Sequence, residues 1–189
     1  MNYIENLKNY TNSVAAAVTA SPLEKLDQVA ENLMKTCKQK GWIYTAGNGG
    51  SASTASHFAN DLVKGLNMAY PRFKARALND NIPINTALAN DLDYSSIFCE
   101  QLKNYIEPGD IFIPFSGSGN SPNVVNAAHM CQEWGHKVIS FTGKGGGKLK
   151  KYSDICCEAP TAVMEEIEDI HLIWEHALIT VLRKNIQKK

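Results

Sequence analysis

Two segments rich in glycine and serine carry residue types suited to holding an anion. Gly47-Asn48-Gly49-Gly50-Ser51 follows the apolar run Trp42–Ala46, and Ser116-Gly117-Ser118-Gly119-Asn120-Ser121 follows Ile111–Phe115. Each stands where a strand gives way to a helix. There the first N–H groups of the helix point outward without partners, and glycine lets a ligand approach the backbone closely. That arrangement suits phosphate above all. The second loop is the sharper of the two. Ser121 before Pro122 is a good N-cap and first-turn pair, and Ser116, Ser118 and Ser121 add hydroxyls around the helix start. Neither loop is a Walker sequence, since no Lys-Ser/Thr follows the glycines, and neither matches the dinucleotide fingerprint well. A turn serving structure alone is the competing reading for either loop; two such loops after different strands weigh against it.

A second group could hold a metal or move protons. His57 and Asp61 are four residues apart on the helix predicted after the first loop, a spacing that puts them on one face. On the last predicted helix lie Glu168 and His176, with Asp169, His171 and Glu175 nearby. Two histidines and two carboxylates would suit a divalent transition metal and neutralise its charge. Glu168 and His176, however, are eight residues apart, about 12 Å along a regular helix. They cannot both reach one ion from one straight helix. Either subunits share the site, or the helix is distorted, or only one of the two binds. The plainer readings are a packed His57, an acidic first turn at Glu165, Glu166, Glu168 and Asp169 that favours the helix dipole, and a solvated i,i+4 pair at His171 and Glu175. The apolar positions Ile167, Ile170, Trp174, Ala177, Leu178 and Val181 read as core or subunit interface.

These residues need a frame to hold them. Residues 2–40 read as two helices. Ser21-Pro22 is expected to open the second as N-cap and first helical residue, and Gly41 to close it. After it, short apolar runs alternate with helical segments. Strands are predicted at Trp42–Ala46, Phe73–Leu78, Ile111–Phe115 (despite Pro114), Lys137–Thr142 and Ile155–Glu158. Helices are predicted from the first loop to about Lys64, over Ile82–Asn90, Ser95–Tyr105 and Pro122–Trp134, and from about Val163 to Ile186. Gly143–Gly147 makes a third glycine-rich loop, after Lys137–Thr142. Repeated strand–loop–helix units predict an α/β three-layer sandwich with a parallel sheet covered on both faces. One domain is expected over 1–189, with N-terminal helices over 1–40 and the α/β sandwich over 41–189.

Composition narrows the classes. The chain has 189 residues, 44% hydrophobic and 20% charged, with 19 basic against 19 acidic side chains. These values are globular and leave no electrostatic footprint for nucleic acid or an anionic membrane. No run approaches the length of a membrane span, and the N-terminus lacks the order of a signal peptide. Five cysteines, with no Cys-x-x-Cys, point to a reduced, cytoplasmic chain.

Taken together, Gly47–Ser51, Asn90-Asp91, Ser116–Asn123 and Phe141-Thr142-Gly143 resemble the sugar isomerase (SIS) domain family, and within it the phosphoheptose isomerase branch. The resemblance covers nearly the whole chain. It implies a flavodoxin-like sandwich with five parallel strands, and a homotetramer with sites at subunit interfaces. It also implies an aldose–ketose isomerase acting on a phosphorylated sugar, with sedoheptulose 7-phosphate as the expected substrate. Carried over by position, Ser116, Gly117, Ser118 and Ser121 hold the phosphate; Asn48, Gly49, Gly50 and Ser51 line the sugar site, with Asn90 and Asp91 on hydroxyls. Zinc in that branch is held by a His, a Glu four residues on, then a Gln and a His on the last helix, which fall here on His57, Asp61, Glu168 and His176. Asp61 is one methylene short, Glu168 replaces a neutral Gln, and Gly117 stands where the branch usually has Thr. Asp61 and His176 are the acid–base candidates. The rival readings are an SIS module that binds a sugar phosphate or a protein without chemistry, and an isomerase for a different phosphorylated sugar.

Overall fold

The computed structural model describes residues 2–66 and 71–187. Five strands, β1 (Trp42–Ala46), β2 (Lys74–Ala77), β3 (Ile111–Ser116), β4 (Lys137–Thr142) and β5 (Ile155–Glu158), form one sheet in the order β2-β1-β3-β4-β5. Every pairing is parallel. Alternate residues of β3 serve opposite faces: Ile111, Ile113 and Phe115 join one core, and Phe112 the other. That double burial is why the run is continuously apolar rather than alternating. Pro114 sits in this central strand, where it can give no ladder hydrogen bond. The register to β4 nevertheless keeps one offset on both sides of it, Phe112 against Val138 and Phe115 against Phe141.

Among the described residues seven α-helices flank the sheet or pack on the helices that do: α1 (Tyr3–Thr19), α2 (Leu23–Lys38), α3 (Gly50–Asn60), α4 (Ile82–Asp91), α5 (Ile97–Tyr105), α6 (Pro122–Glu133) and α7 (Met164–Gln187). On one face α2, α3 and α7 bury Leu33, Phe58, Trp174 and Leu178 against Ile43, Phe115 and Phe141. On the other, α5 and α6 bury Phe98, Leu102, Val124 and Ala128 against Tyr44 and Phe112. No helix among the described residues is long and apolar enough to cross a membrane. All five cysteines are buried and free.

Three local expectations are corrected. Helix α2 ends in a Schellman turn in which Lys40, not Gly41, takes the left-handed conformation (φ 61°), with Gly41 N–H donating to Thr36 O at 3.0 Å. Ser21 does not cap α2. Pro22 holds the cap position, while the Ser21 hydroxyl donates to Val18 O and accepts from Trp174 Nε1, each at 2.6 Å. The serine is used to tie α7 to the N-terminal helices. Helix α3 does not run as an α-helix to Lys64; it gives way to a π-helical turn over Asp61–Gly65. Such widened turns gather at functional sites. Arg183 of α7 clamps this one by donating Nε–H to Gly65 O at 3.0 Å.

The strand order fixes where a ligand can go. From β1 the chain crosses to β2 on one side, and β3 lies on the other. The crevice at the carboxyl ends of β1 and β3 is the topological switch point, the usual ligand position in an open parallel sheet. Gly47–Ser51 and Ser116–Ser121 are the two loops that flank it.

Candidate active site

The loop after β3 turns into α6 with Ser121 at the N-cap and Pro122 in the first turn, as the residue types predict. The Ser121 hydroxyl makes no capping bond and lies 3.4 Å from the Ser116 hydroxyl. It is therefore available to something else. The loop holds its own shape: Ser118 Oγ accepts from Asn120 N–H at 3.1 Å, and the Asn120 amide donates to Ser118 O at 2.8 Å. Ser116, Gly117, Ser118 and Ser121 line a small cleft of about 110 Å³ with Asn48, Ser51, Met164 and Glu168. A Cβ on Gly117 would collide with the Met164 sulfur. Glycine at 117 is thus the counterpart of a methionine forty-seven residues on, which occupies the space a threonine side chain would need.

The opposite wall comes from the loop after β1. Asn48 and Asn123 exchange amide hydrogen bonds at 2.9 Å in both directions, and Tyr94 O–H donates to Asn48 Oδ1 at 2.9 Å. Gly50 opens α3 with the Glu168 carboxylate directly against it, so that any side chain at position 50 would strike that group. Glu168 has its charge at the positive end of α3, a favourable place for a carboxylate. Asn90 and Asp91 lie on the exposed last turn of α4, bonded to each other at 2.9 Å, and do not line the cleft.

Two turns further along α3 is the second cluster. His57 Nε2 lies 3.7 Å from Asp61 Oδ2, 3.4 Å from His176 Nε2, and His176 Nε2 lies 3.9 Å from Glu175 Oε2. One ligand atom from each of His57, Asp61, Glu175 and His176 falls within 4.8 Å of every other. Four donors at about 2.1 Å around a tetrahedral ion are about 3.4 Å apart, so the set needs little closing to hold one. Glu168 is not in this group. The Glu175 side chain is wholly buried, and neither of its oxygens has a hydrogen-bond partner. Burial, reinforced by the neighbouring Asp61 carboxylate, raises its pKa to about 8.

The reading of His171 and Glu175 as a solvated pair is overturned: both are buried, at about 1% exposure. His171 packs between Phe115, Phe141 and Trp174, with Nε2 3.1 Å from Thr142 O. Burial pushes its pKa down to about 4, so the ring is neutral and its Nε2–H donates to that carbonyl. A groove of about 760 Å³ along the β2 edge, past Trp42, Arg76 and Ile82, shares no residue with the loop or the cluster.

The SIS domain family model matches residues 2–143. The chain belongs to the SIS domain family. This SIS chain is 40% identical over 153 residues to a phosphoheptose isomerase of Thermodesulfovibrio yellowstonii, covering 81% of itself and 76% of the relative. It is 32% identical over 186 residues to one of Aneurinibacillus thermoaerophilus, covering 97% and 94%. Among solved structures, phosphoheptose isomerases of Francisella tularensis (TM-score 0.90, 27% identity, covering 97% of this chain and 100% of that one) and Neisseria gonorrhoeae (TM-score 0.89, 27%, covering 96% and 98%) share its fold. The expected five-stranded parallel sandwich of an SIS domain is the fold observed.

Within that SIS fold, the structure brings together His57, Asp61 and His176, and separately Asn48, Ser51, Ser116, Gly117, Ser118, Ser121 and Glu168. Gly49 is the N-cap of α3. Sequence reasoning missed Tyr94, for which no spacing gives a signal. It named Asn123 only as the end of the loop motif and read Glu175 as solvated.

Proposed function

We propose that the protein is a phosphoheptose isomerase, interconverting sedoheptulose 7-phosphate and D-glycero-D-manno-heptose 7-phosphate. The observation that carries this reading is the loop 116–121 at the switch point. It combines the start of α6, a glycine, and the Ser118 and Ser121 hydroxyls, which accept hydrogen bonds within the loop and keep their own hydrogens to donate; these neutral donors suit a phosphate ester on the side of the cleft away from Glu168. The relatives named phosphoheptose isomerase at 32–40% identity support the same reaction.

The reaction moves one proton between adjacent carbons. The ketose gives up a proton from C1 to a base, leaving an enediol; the proton returns to C2, and the two oxygens exchange one proton, so nothing is oxidised or reduced overall. Gripping the phosphate far from these carbons fixes the reacting end in position. Asp61 and His176 are the acid–base pair in this proposal. A carboxylate has two oxygens and an imidazole two nitrogens, so each group can bind through one atom and exchange a proton through the other. His57, Asp61 and His176 would hold the divalent metal, zinc by the nature of the donors. Bound there, the metal would polarise the sugar carbonyl as a Lewis acid. The fit rests on the imidazole nitrogens of His57 and His176 converging with an oxygen of the Asp61 carboxylate. A homotetramer with sites at subunit interfaces belongs to the same proposal.

The test is direct. Purified protein should convert sedoheptulose 7-phosphate to the aldose. Asp61→Asn and His176→Asn should each lose at least about a hundredfold in kcat, the scale of general acid–base catalysis, with unchanged far-ultraviolet circular dichroism. Near-wild-type rates in both variants refute these roles. Binding of the sugar phosphate without turnover assigns the chain to the non-catalytic modules, and turnover only of another phosphoketose changes the substrate.

A further inference from the structure

We infer that Glu175 is a direct metal ligand of this chain, completing with His57, Asp61 and His176 a site of two imidazoles and two carboxylates. The inference deepens the isomerase reading above and rests on it for the metal's purpose.

Three observations carry it. First, Glu175 is a carboxylate with no exposed side-chain surface and no hydrogen-bond partner on either oxygen. A buried acid in that position needs a counter-charge or a proton. The groups beside it are Asp61, a second carboxylate that without a cation can be accommodated only by a proton shared between the two, and His176, whose Nε2 is 3.9 Å from Oε2. Among the described residues no lysine or arginine forms an ion pair with it. Second, the donor atoms of all four residues lie within 4.8 Å of one another, and the two Nε2 atoms face each other at 3.4 Å. A dication among them is neutralised by the two carboxylates, and the imidazoles select a borderline metal such as Zn²⁺ or Co²⁺ over Mg²⁺ or Ca²⁺. Third, Glu168, the other acid of α7 weighed for this role, stands outside the four-residue group, with its carboxylate beside Gly50 at the start of α3. Asp61 is the shorter of the two acidic side chains, and Glu175 enters from the helix packed against it with the length to make up the reach.

The experiment measures metal, not turnover. Metal-free wild-type protein, Glu175→Gln and Glu168→Gln are titrated with Zn²⁺ by calorimetry and with Co²⁺ by visible absorption. Glu175→Gln should bind Zn²⁺ at least about tenfold more weakly and show an altered Co²⁺ ligand-field spectrum, while Glu168→Gln binds within about twofold of wild type. Equal affinity and an unchanged spectrum in Glu175→Gln overturn the inference, as does a large loss confined to Glu168→Gln. Should Glu175→Gln fail to fold, crystals of the wild-type protein soaked in Zn²⁺ decide. An anomalous peak with a Glu175 oxygen at about 2.0–2.2 Å supports the assignment, and a peak ligated without Glu175, or none, removes it. Isomerase turnover of wild type is assayed separately. A Glu175-dependent metal in a protein without turnover keeps this inference and sinks the isomerase; turnover with metal binding indifferent to Glu175 does the reverse.

Discussion

His171 should give the protein a steep loss of stability in mild acid. Its ring lies about 6 Å, centroid to centroid, from each of Phe115, Phe141 and Trp174, and its single polar contact is to the Thr142 carbonyl, 3.1 Å away. Burial lowers its pKa from 6.5 to about 4. Between those values the unfolded chain binds a proton that the native chain refuses. Native stability is therefore full above about pH 6.5 and is lost as the pH falls toward 4. A gap of that size is worth about 3 kcal/mol in total, and most of it is lost between pH 7 and pH 4.5. The assay is urea unfolding across that range for wild type and His171→Gln, whose amide can still donate to Thr142 O. Other groups titrate alike in both proteins and cancel in the difference. The wild type should lose about 2–3 kcal/mol more than the variant. Parallel pH profiles would refute a neutral, proton-excluding histidine at the junction of α7 and β4.

Two further substitutions test the reading of the backbone. Lys40 is an exposed lysine held at φ 61°, so Lys40→Gly should stabilise the fold by about 1 kcal/mol and raise the melting temperature by about 2–4 °C; a lower melting temperature counts against the Schellman assignment. Gly117→Thr should cost no more than about 1 kcal/mol, because the atom it meets is the end of the flexible, half-exposed Met164 side chain, which can swing aside; in a double-mutant cycle in urea Met164→Ala should remove that cost, and a loss above about 3 kcal/mol that persists with Met164→Ala would show that Met164 is not what closes the position.

The frame of the molecule is legible in the sequence because its signals are local. β4 and β5 fall on Lys137–Thr142 and Ile155–Glu158, where short apolar runs are bounded by glycine, aspartate or proline. Both loops of the cleft are legible for the same reason. What escapes is decided by packing between distant segments. Ser21 has the chemistry of a cap, yet Trp174 takes its hydroxyl. Glu175 looked like half of a surface pair because His171 stands four residues before it. One cue was present: Ile167, His171, Glu175 and Ile179 form a row at four-residue steps, and all four are buried. Two apolar ends on such a row place the polar members between them inside. Tyr94 had no such cue, since it reaches Asn48 from the turn before α5 across forty-six residues.

The two halves of the site are placed by a single helix pair. Glu168 of α7 touches α3 at Gly50, and His176 touches it at His57. The offsets, 118 and 119 residues, are nearly equal, so the helices run side by side in the same direction over two turns, about 10 Å. The macrodipole of α3 then sorts charge along this track. Its N-terminal end is positive and faces the cleft, and there the Glu168 carboxylate sits against Gly50. Its C-terminal end is negative, and there His57, Asp61, Glu175 and His176 gather, two of them carboxylates brought together against that dipole. Acids crowded at the negative end of a helix, one of them buried without a partner, cost stability unless a cation joins them. The two carboxylates, with the carbonyl end of α3 acting in the same sense, therefore give a divalent cation its electrostatic reason to bind there.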